Sequence, residues 1–382
     1  MLKKIISAFL AFFIVVLVGC KKEEKNENIF NEKLLRNQLV IKPDVITAID
    51  EANNFFELFD LAKVTQLETT NESLIGKIES IIYLPLEQKI IVLDNNISKS
   101  IYVFDLNGKF LNKIGTRGRG EGEYIVPNCI AYENNKLAVF SEAGKLLFYK
   151  LDGTFINEIN FPKMGWYFEP DKILLVNNDL YCYCGNPYAS EGPDGEQLIV
   201  SKIKNCERFE AGYGKLEGVL FGGGGLMTYS NSILFTSLFD GNVYEIQPGK
   251  KTSSVFASIG SLYSVENILS SKDQIQYIIE HIKDGDFDSV RSLEKIKNVI
   301  FLVRLRKVTV IDNKGNIIRR DLPFKVTLPK NYEGYSSRLP VLFFDDGFII
   351  CSTDKKNISD TLTPNPSLLF YKFRELESKI LD

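Results

Sequence analysis

Residues able to do covalent or metal chemistry are few in this 382-residue chain. The single histidine is His281, so a Ser-His-Asp or Cys-His arrangement would have to be built around that one side chain. No histidine cluster is available for a catalytic zinc or a non-haem iron. Cys182 and Cys184 flank Tyr183 in an alternating run, which puts both sulfurs on one face of a strand. They read as small apolar core side chains, because Cys-x-Cys is an unusual zinc spacing and His281 lies far off in sequence. The 49 acids leave paired carboxylates open as a chemistry. Calcium held by Asp, Asn and carbonyl oxygens is open too, without a loop motif to support it. No cofactor is expected.

A second group of candidates sits in Gly115-Thr-Arg-Gly-Arg-Gly-Glu-Gly-Glu-Tyr124. Arg117 and Arg119 could clasp a carboxylate or sulfate with both guanidinium nitrogens, with Glu121, Glu123 and Tyr124 beside them. The glycines equally suit a tight crossover that needs positive φ. No phosphate-binding loop is present, since no Lys-Ser or Lys-Thr follows at the required spacing. Phe221–Gly225 reads the same way, as a connector.

These residues must be carried by strands. Ile78–Leu84, Lys89–Leu93, Ser100–Phe104 and Phe110–Ile114 are short apolar or alternating runs joined by brief turns. Leu106–Ile114 recurs 45 residues later as Leu151–Ile159, and more weakly as Val310–Ile318. In the first two copies an Asn-Gly or Asp-Gly turn joins the third strand to the fourth. A four-strand unit repeated at that period marks a β-propeller blade. Residues 258–297 do not read as strand. Ser271 with Gln274 suggests a capping box, Ile275, Ile278, Ile279 and Ile282 an apolar helical stripe, and Gly285 a C-terminal cap. Subtracting that insertion leaves roughly 280 residues between 55 and 375, which at about 45 per blade gives six blades.

The N-terminus carries an export signal. Lys3 and Lys4 precede an apolar run, Ile5–Val18, broken only by Ser7. As a helix that run covers about 21 Å, short of the roughly 30 Å of a bilayer core. Leu17-Val18-Gly19-Cys20 resembles the lipobox of bacterial lipoproteins, which implies lipid on Cys20 and residues 1–20 as the signal. Lys21-Lys22-Glu23-Glu24 is similar to the short export tag of Bacteroidetes surface lipoproteins, and equally fits a solvated charged tether. Residues 21–54 are then tether and lead-in, and 55–382 the propeller. Without residues 1–20 the chain holds 44 basic and 49 acidic residues, net −5, with no basic run, which excludes nucleic acid as a partner. The five remaining cysteines are odd in number, so at least one stays unpaired in an oxidising compartment. Their pairing is not readable.

The stretch from Phe104 through Glu123-Tyr124, with Leu67–Thr70 and Leu74–Ile78 upstream, resembles the six-bladed propeller lipoproteins of Bacteroidetes. These are similar to NHL-repeat proteins. The resemblance implies an all-β, six-bladed fold and a place in the cell envelope, anchored at the outer membrane, and it carries no activity. Members commonly have Pro where this chain has Glu121, which makes the connector less rigid. In such a fold the strand d to strand a connectors and the b–c loops share one face, the top. That face would collect Arg117, Arg119, Glu121, Glu123, Tyr124, Asp94, Asn95 and Asn96. It would also hold the Gly185–Gln197 loop with Tyr188 and Asp194, the Thr353–Pro366 loop, and the helical insertion. The expected function is a lipid-anchored module that binds a small molecule, glycan or protein without catalysis, on the periplasmic or the outer surface. The alternatives are a carboxylate- or calcium-dependent hydrolase resembling lactonases, and a structural subunit of an envelope complex.

Overall fold

The computed structural model describes residues 43–374 apart from short stretches, the longest being 161–169, 184–195, 203–210, 216–223, 261–269, 282–288, 335–340 and 355–363. Residues 1–42, including Cys20, and the Tyr188 and Asp194 positions lie outside the described residues. The chain opens with helix α1 (Pro43–Glu51) and a 3-10 turn (Phe55–Leu58), which lead into strand β1 (Phe59–Gln66). Four-stranded antiparallel sheets follow in chain order. They are β2–β5 (Ser80–Leu84, Lys89–Asp94, Ser100–Asp105, Phe110–Ile114) and, after the short β6 (Thr116–Arg117) and β7 (Glu123–Tyr124), β8–β11 (Pro127–Glu133, Lys136–Ser141, Lys145–Tyr149, Phe155–Asn160). Next come β12–β15 (Lys172–Val176, Asp179–Tyr183, Glu196–Lys202, Ala211–Lys215) and β16–β19 (Gly224–Tyr229, Ser232–Ser237, Asn242–Ile246, Ser253–Ser258). The last is β20–β23 (Val290–Ile296, Val299–Arg304, Lys307–Ile311, Ile317–Pro323). Each is a propeller blade, and there are five of this four-stranded form among the described residues.

The remaining large sheet joins the two ends of the fold. Strands β24 (Tyr332–Gly334) and β25 (Val341–Phe344) both pair with β26 (Gly347–Asp354), which pairs with β27 (Ser367–Phe373). Strand β1 then lies antiparallel on β27, from Phe59 opposite Phe373 to Gln66 opposite Ser367. The first strands β2, β8, β12, β16 and β20 neighbour one another in turn, and β25 touches both β20 and β2.

Burial explains the sequence pattern. The second strand Lys89–Asp94 is buried at every position after Lys89 because both of its faces meet another blade. Ile91 and Leu93 pack with Leu137, Val139 and Leu147 of the second blade. Ile90 and Val92 pack with Ile349, Cys351 and Leu368 of the closing sheet. Each such side chain is worth roughly 1.5–3 kcal/mol of burial. The fourth strand Phe110–Ile114 is solvated on one side and alternates accordingly. Cys129 and Cys182 share the apolar core between the second and third blades, and Cys351 is buried too, so these thiols are packing groups. Cys184 and Cys206 lie outside the described residues.

The repeated turns have one geometry. Gly108, Gly153 and Gly315 adopt φ of 86°, 89° and 89°. The Gly108 and Gly315 amides return to the carbonyls of Asp105 and Asp312 at 3.0 and 3.2 Å. Asn107 and Asp152 keep negative φ, so this is a type I turn closed by a left-handed glycine, not the two-residue mirror-image turn that Asn-Gly first suggests.

The non-strand segment 258–297 needs correcting at its end. Val290–Ile296 is strand β20, the inner strand of its blade. A register shift between Val290 and Ser292 is a β-bulge, and it leaves Val290, Leu293 and Ile296 buried at a spacing of three, which mimics a helix. Ser270, Gln276, Tyr277, Glu280 and His281 are helical. The capping box partner Gln274, the Ile275–Ile282 stripe and Gly285 lie outside the described residues. Within the lead-in 21–54, helix α1 packs against β23, with Ile49 fully buried.

Candidate functional site

Asp94 ends strand β3 and is fully buried. Its Oδ2 accepts the backbone N–H groups of Gly76, Lys77 and Ser98 at 2.8, 3.0 and 3.1 Å. Its Oδ1 accepts those of Asn96 and Ile97 at 3.1 and 2.9 Å. Burial alone would raise its pKa, but the N–H groups of Lys77, Ile97 and Ser98 outweigh it and hold the carboxyl below its ordinary value. One carboxylate thus ties the β3–β4 loop to the β1–β2 connector, and no oxygen is left facing a ligand. Asn365 does similar work from the Thr353–Pro366 loop. It is buried, donates to the carbonyls of Glu68 and Ser73, and accepts from the Ile75 amide.

The glycine-rich connector divides into an inner and an outer set. Tyr124 is buried, with its hydroxyl donating to the Ile114 carbonyl at 2.9 Å, and burial pushes its pKa up to about 12. Glu123 turns back into the loop, where its Oε2 accepts the Gly120 amide at 2.8 Å. A Cβ at position 118 would lie 2.0 Å from that same oxygen, so any larger residue there would have to displace the Glu123 carboxylate. The second blade braces the loop from outside. Tyr149 donates to the Gly122 carbonyl at 2.9 Å, and Glu158 accepts the Gly122 amide at 3.0 Å. Lys145 reaches the Gly120 carbonyl at 2.9 Å while pairing with Glu158 at 2.9 Å. The parallel pair β6–β7 completes the frame. Arg117, Arg119 and Glu121 are exposed.

A cavity of about 490 Å³ opens between the first three blades. Glu79, Val126, Pro170 and Asp171 line it from connectors that enter first strands, and Asn95, Asn96 and Glu142 from loops that follow second strands. Ser80, Asn128 and Cys129 add the starts of β2 and β8. Connectors and b–c loops therefore do meet on one face, at the inner ends of the blades. Among the described residues the lining holds three carboxylates and three carboxamides, with no basic residue and no aromatic ring. Among the described residues no group of three or more His, Cys, Asp or Glu is placed to hold a metal ion.

The structure brings Asn95 and Asn96 to this cavity, but takes Asp94 into the loop beneath it. The residues that sequence reasoning missed are Glu79, Asn128, Glu142 and Asp171. Their signal was positional, since each sits just before or within a first strand or just after a second strand.

Comparison with known proteins fits this architecture. The sequence profile of a domain of unknown function, DUF4934, matches residues 40–302. The chain belongs to the DUF4934 family. Its fold is similar to that of a candidate exported protein of Bacteroides fragilis, with a TM-score of 0.63 at 18% identity, covering 84% of this chain and 97% of the other. A DUF4221 family member from Bacteroides vulgatus is similar at a TM-score of 0.53 and 12% identity, covering 83% and 98%. No curated protein matches. The DUF4934 match runs from before α1 to the fourth residue of β21, so it includes the cavity, Asp94 and the braced connector. No helix among the described residues is long and apolar enough to cross a membrane.

Proposed function

We propose that this DUF4934 chain is a cell-envelope lipoprotein whose propeller binds a ligand or protein partner at its top face, without catalysis. The observation that carries the reading is the polar cavity at the inner ends of the first three blades, whose walls come from five separate chain segments. A rigid scaffold with a concave, polar mouth built from loops is the usual setting for a binding site. Glu79, Asn95, Asn128, Glu142 and Asp171 supply hydrogen-bond acceptors and amide donors there. Arg117, Arg119 and Glu121 form an outer contact set. No cofactor is required.

The closing sheet is counted as a sixth blade, with β25, β26, β27 and β1 as its four strands, as in NHL-like propellers. Anchoring is through lipid on Cys20, in the outer membrane, facing the periplasm or the exterior. Metabolic labelling with a palmitate analogue tests the anchor: the label should be lost in Cys20→Ala, and its retention there would refute it. A thermal-shift screen of amines, amino acids and oligosaccharides tests the site. A hit should lose its shift in Glu142→Gln/Asp171→Asn.

The three carboxylates at the mouth also favour a second reading, a carboxylate- or calcium-dependent hydrolase related in chemistry to lactonases. Turnover of lactone and ester probes, abolished in Glu142→Gln, would establish it over the first.

A further inference from the structure

The connector between the first two blades presents two exposed guanidiniums, Arg117 and Arg119. From Lys109 to Gly120 the sequence holds Lys109, Lys113, Arg117 and Arg119 and no acid, in a chain that is net negative. Of the acids closest to hand, Glu121 is exposed, and the other two are engaged within the loop. Glu123 accepts the Gly120 amide, and Glu158 accepts the Gly122 amide and pairs with Lys145. The brace is therefore made without either guanidinium, and Arg117 and Arg119 stand exposed on a loop held by Lys145, Tyr149 and Glu158. A fixed loop presenting two guanidiniums loses less freedom on binding than a mobile one.

We propose that this connector docks an acidic peptide segment of a protein partner, with Arg117 and Arg119 each taking a carboxylate. The proposal rests on the reading of the top face as a binding surface, and names the chemistry of its partner. Residues two apart are at most about 7 Å apart along the backbone, a spacing that two nearby Asp or Glu side chains of a peptide can match. Guanidinium forks suit carboxylates bidentately. Glu121 follows two residues later and is also exposed. It repels a uniformly charged polyanion, such as a sulfated glycan, whereas a peptide can place a basic residue opposite it. Charge alternation thus favours a peptide.

The test uses the full chain and two immobilised probes, a peptide of the pattern Glu-Ser-Glu-Ser-Lys and a sulfated oligosaccharide. Retention on the peptide is expected, falling with added salt and weakened about tenfold in Arg117→Ala/Arg119→Ala. Because both arginines are exposed, the double variant should melt at the parent temperature, which separates lost binding from lost folding. Peptide binding lost in Glu142→Gln/Asp171→Asn but kept in Arg117→Ala/Arg119→Ala would place the peptide in the mouth cavity and overturn the proposal. No retention of the peptide, retention that ignores the arginine variant, or tighter binding of the oligosaccharide would each overturn the proposal.

Discussion

At the residue scale, Asp94 has the clearest consequences. Five backbone N–H groups converge on its two oxygens, and only an ionised carboxylate accepts them all. Asp94→Asn should lower stability by about 2–4 kcal/mol, because one oxygen becomes a donor facing donors. Chemical denaturation checks this. The pH dependence has a definite sign. The folded-state pKa lies below the unfolded one, so the contribution is full above about pH 4 and is lost as pH falls through the folded value. The parent should therefore lose more stability than Asp94→Asn as pH drops below about 4, and a constant gap between them would contradict the assignment. Nothing in the local sequence showed this role. Two of the five donors come from Gly76 and Lys77, which only the folded connector brings to the end of β3. Tyr124 was hidden for the same reason, since a tyrosine in a glycine-rich loop reads as exposed until the loop is seen wrapped around it.

At the element scale, the turns and the chain closure make separable predictions. A Cβ on Gly108 would lie 2.1 Å from the Gln66 carbonyl oxygen of the closing sheet, whereas one on Gly153 would lie 2.9 Å from that of Lys113. Both positions have positive φ, which alone costs an alanine roughly 1–2 kcal/mol. Gly108→Ala should therefore destabilise more than Gly153→Ala in parallel urea titrations, by an additional ~1 kcal/mol or more. Phe55 is fully buried against Phe301 of β21, Phe324, and Phe343 and Phe348 of the closing sheet. Phe55→Ala should cost about 3–5 kcal/mol, and a drop under 1 would mean that the N-terminal segment is not a clasp between those sheets. Much of this scale was legible. The 45-residue recurrence and the turn glycines located blades, because both follow from local backbone needs. The strand β20 was not legible, since its bulge replaces alternation by a spacing of three. The clasp was not legible either, because Phe55, Phe56 and Phe59 find their partners almost 250 residues or more away.

At the scale of the whole molecule, the propeller converts scattered residues into one surface. Glu79, Asn128, Glu142 and Asp171 have no common motif, yet the same step in successive blades delivers them to one cavity. The rule that connectors and b–c loops share a face was legible in the sequence, and it named the outer connector more readily than the mouth. A glycine-arginine run stands out in a sequence, whereas single acids ahead of strands do not. The central claim is that the mouth cavity is a binding site, and native mass spectrometry of the protein extracted from its own membranes tests it most directly. The account predicts a non-covalent adduct on the parent protein that is lost in Glu142→Gln/Asp171→Asn, with both proteins melting alike. An adduct that persists in the variant, or a parent protein that carries none and binds nothing in the screened classes, would contradict it.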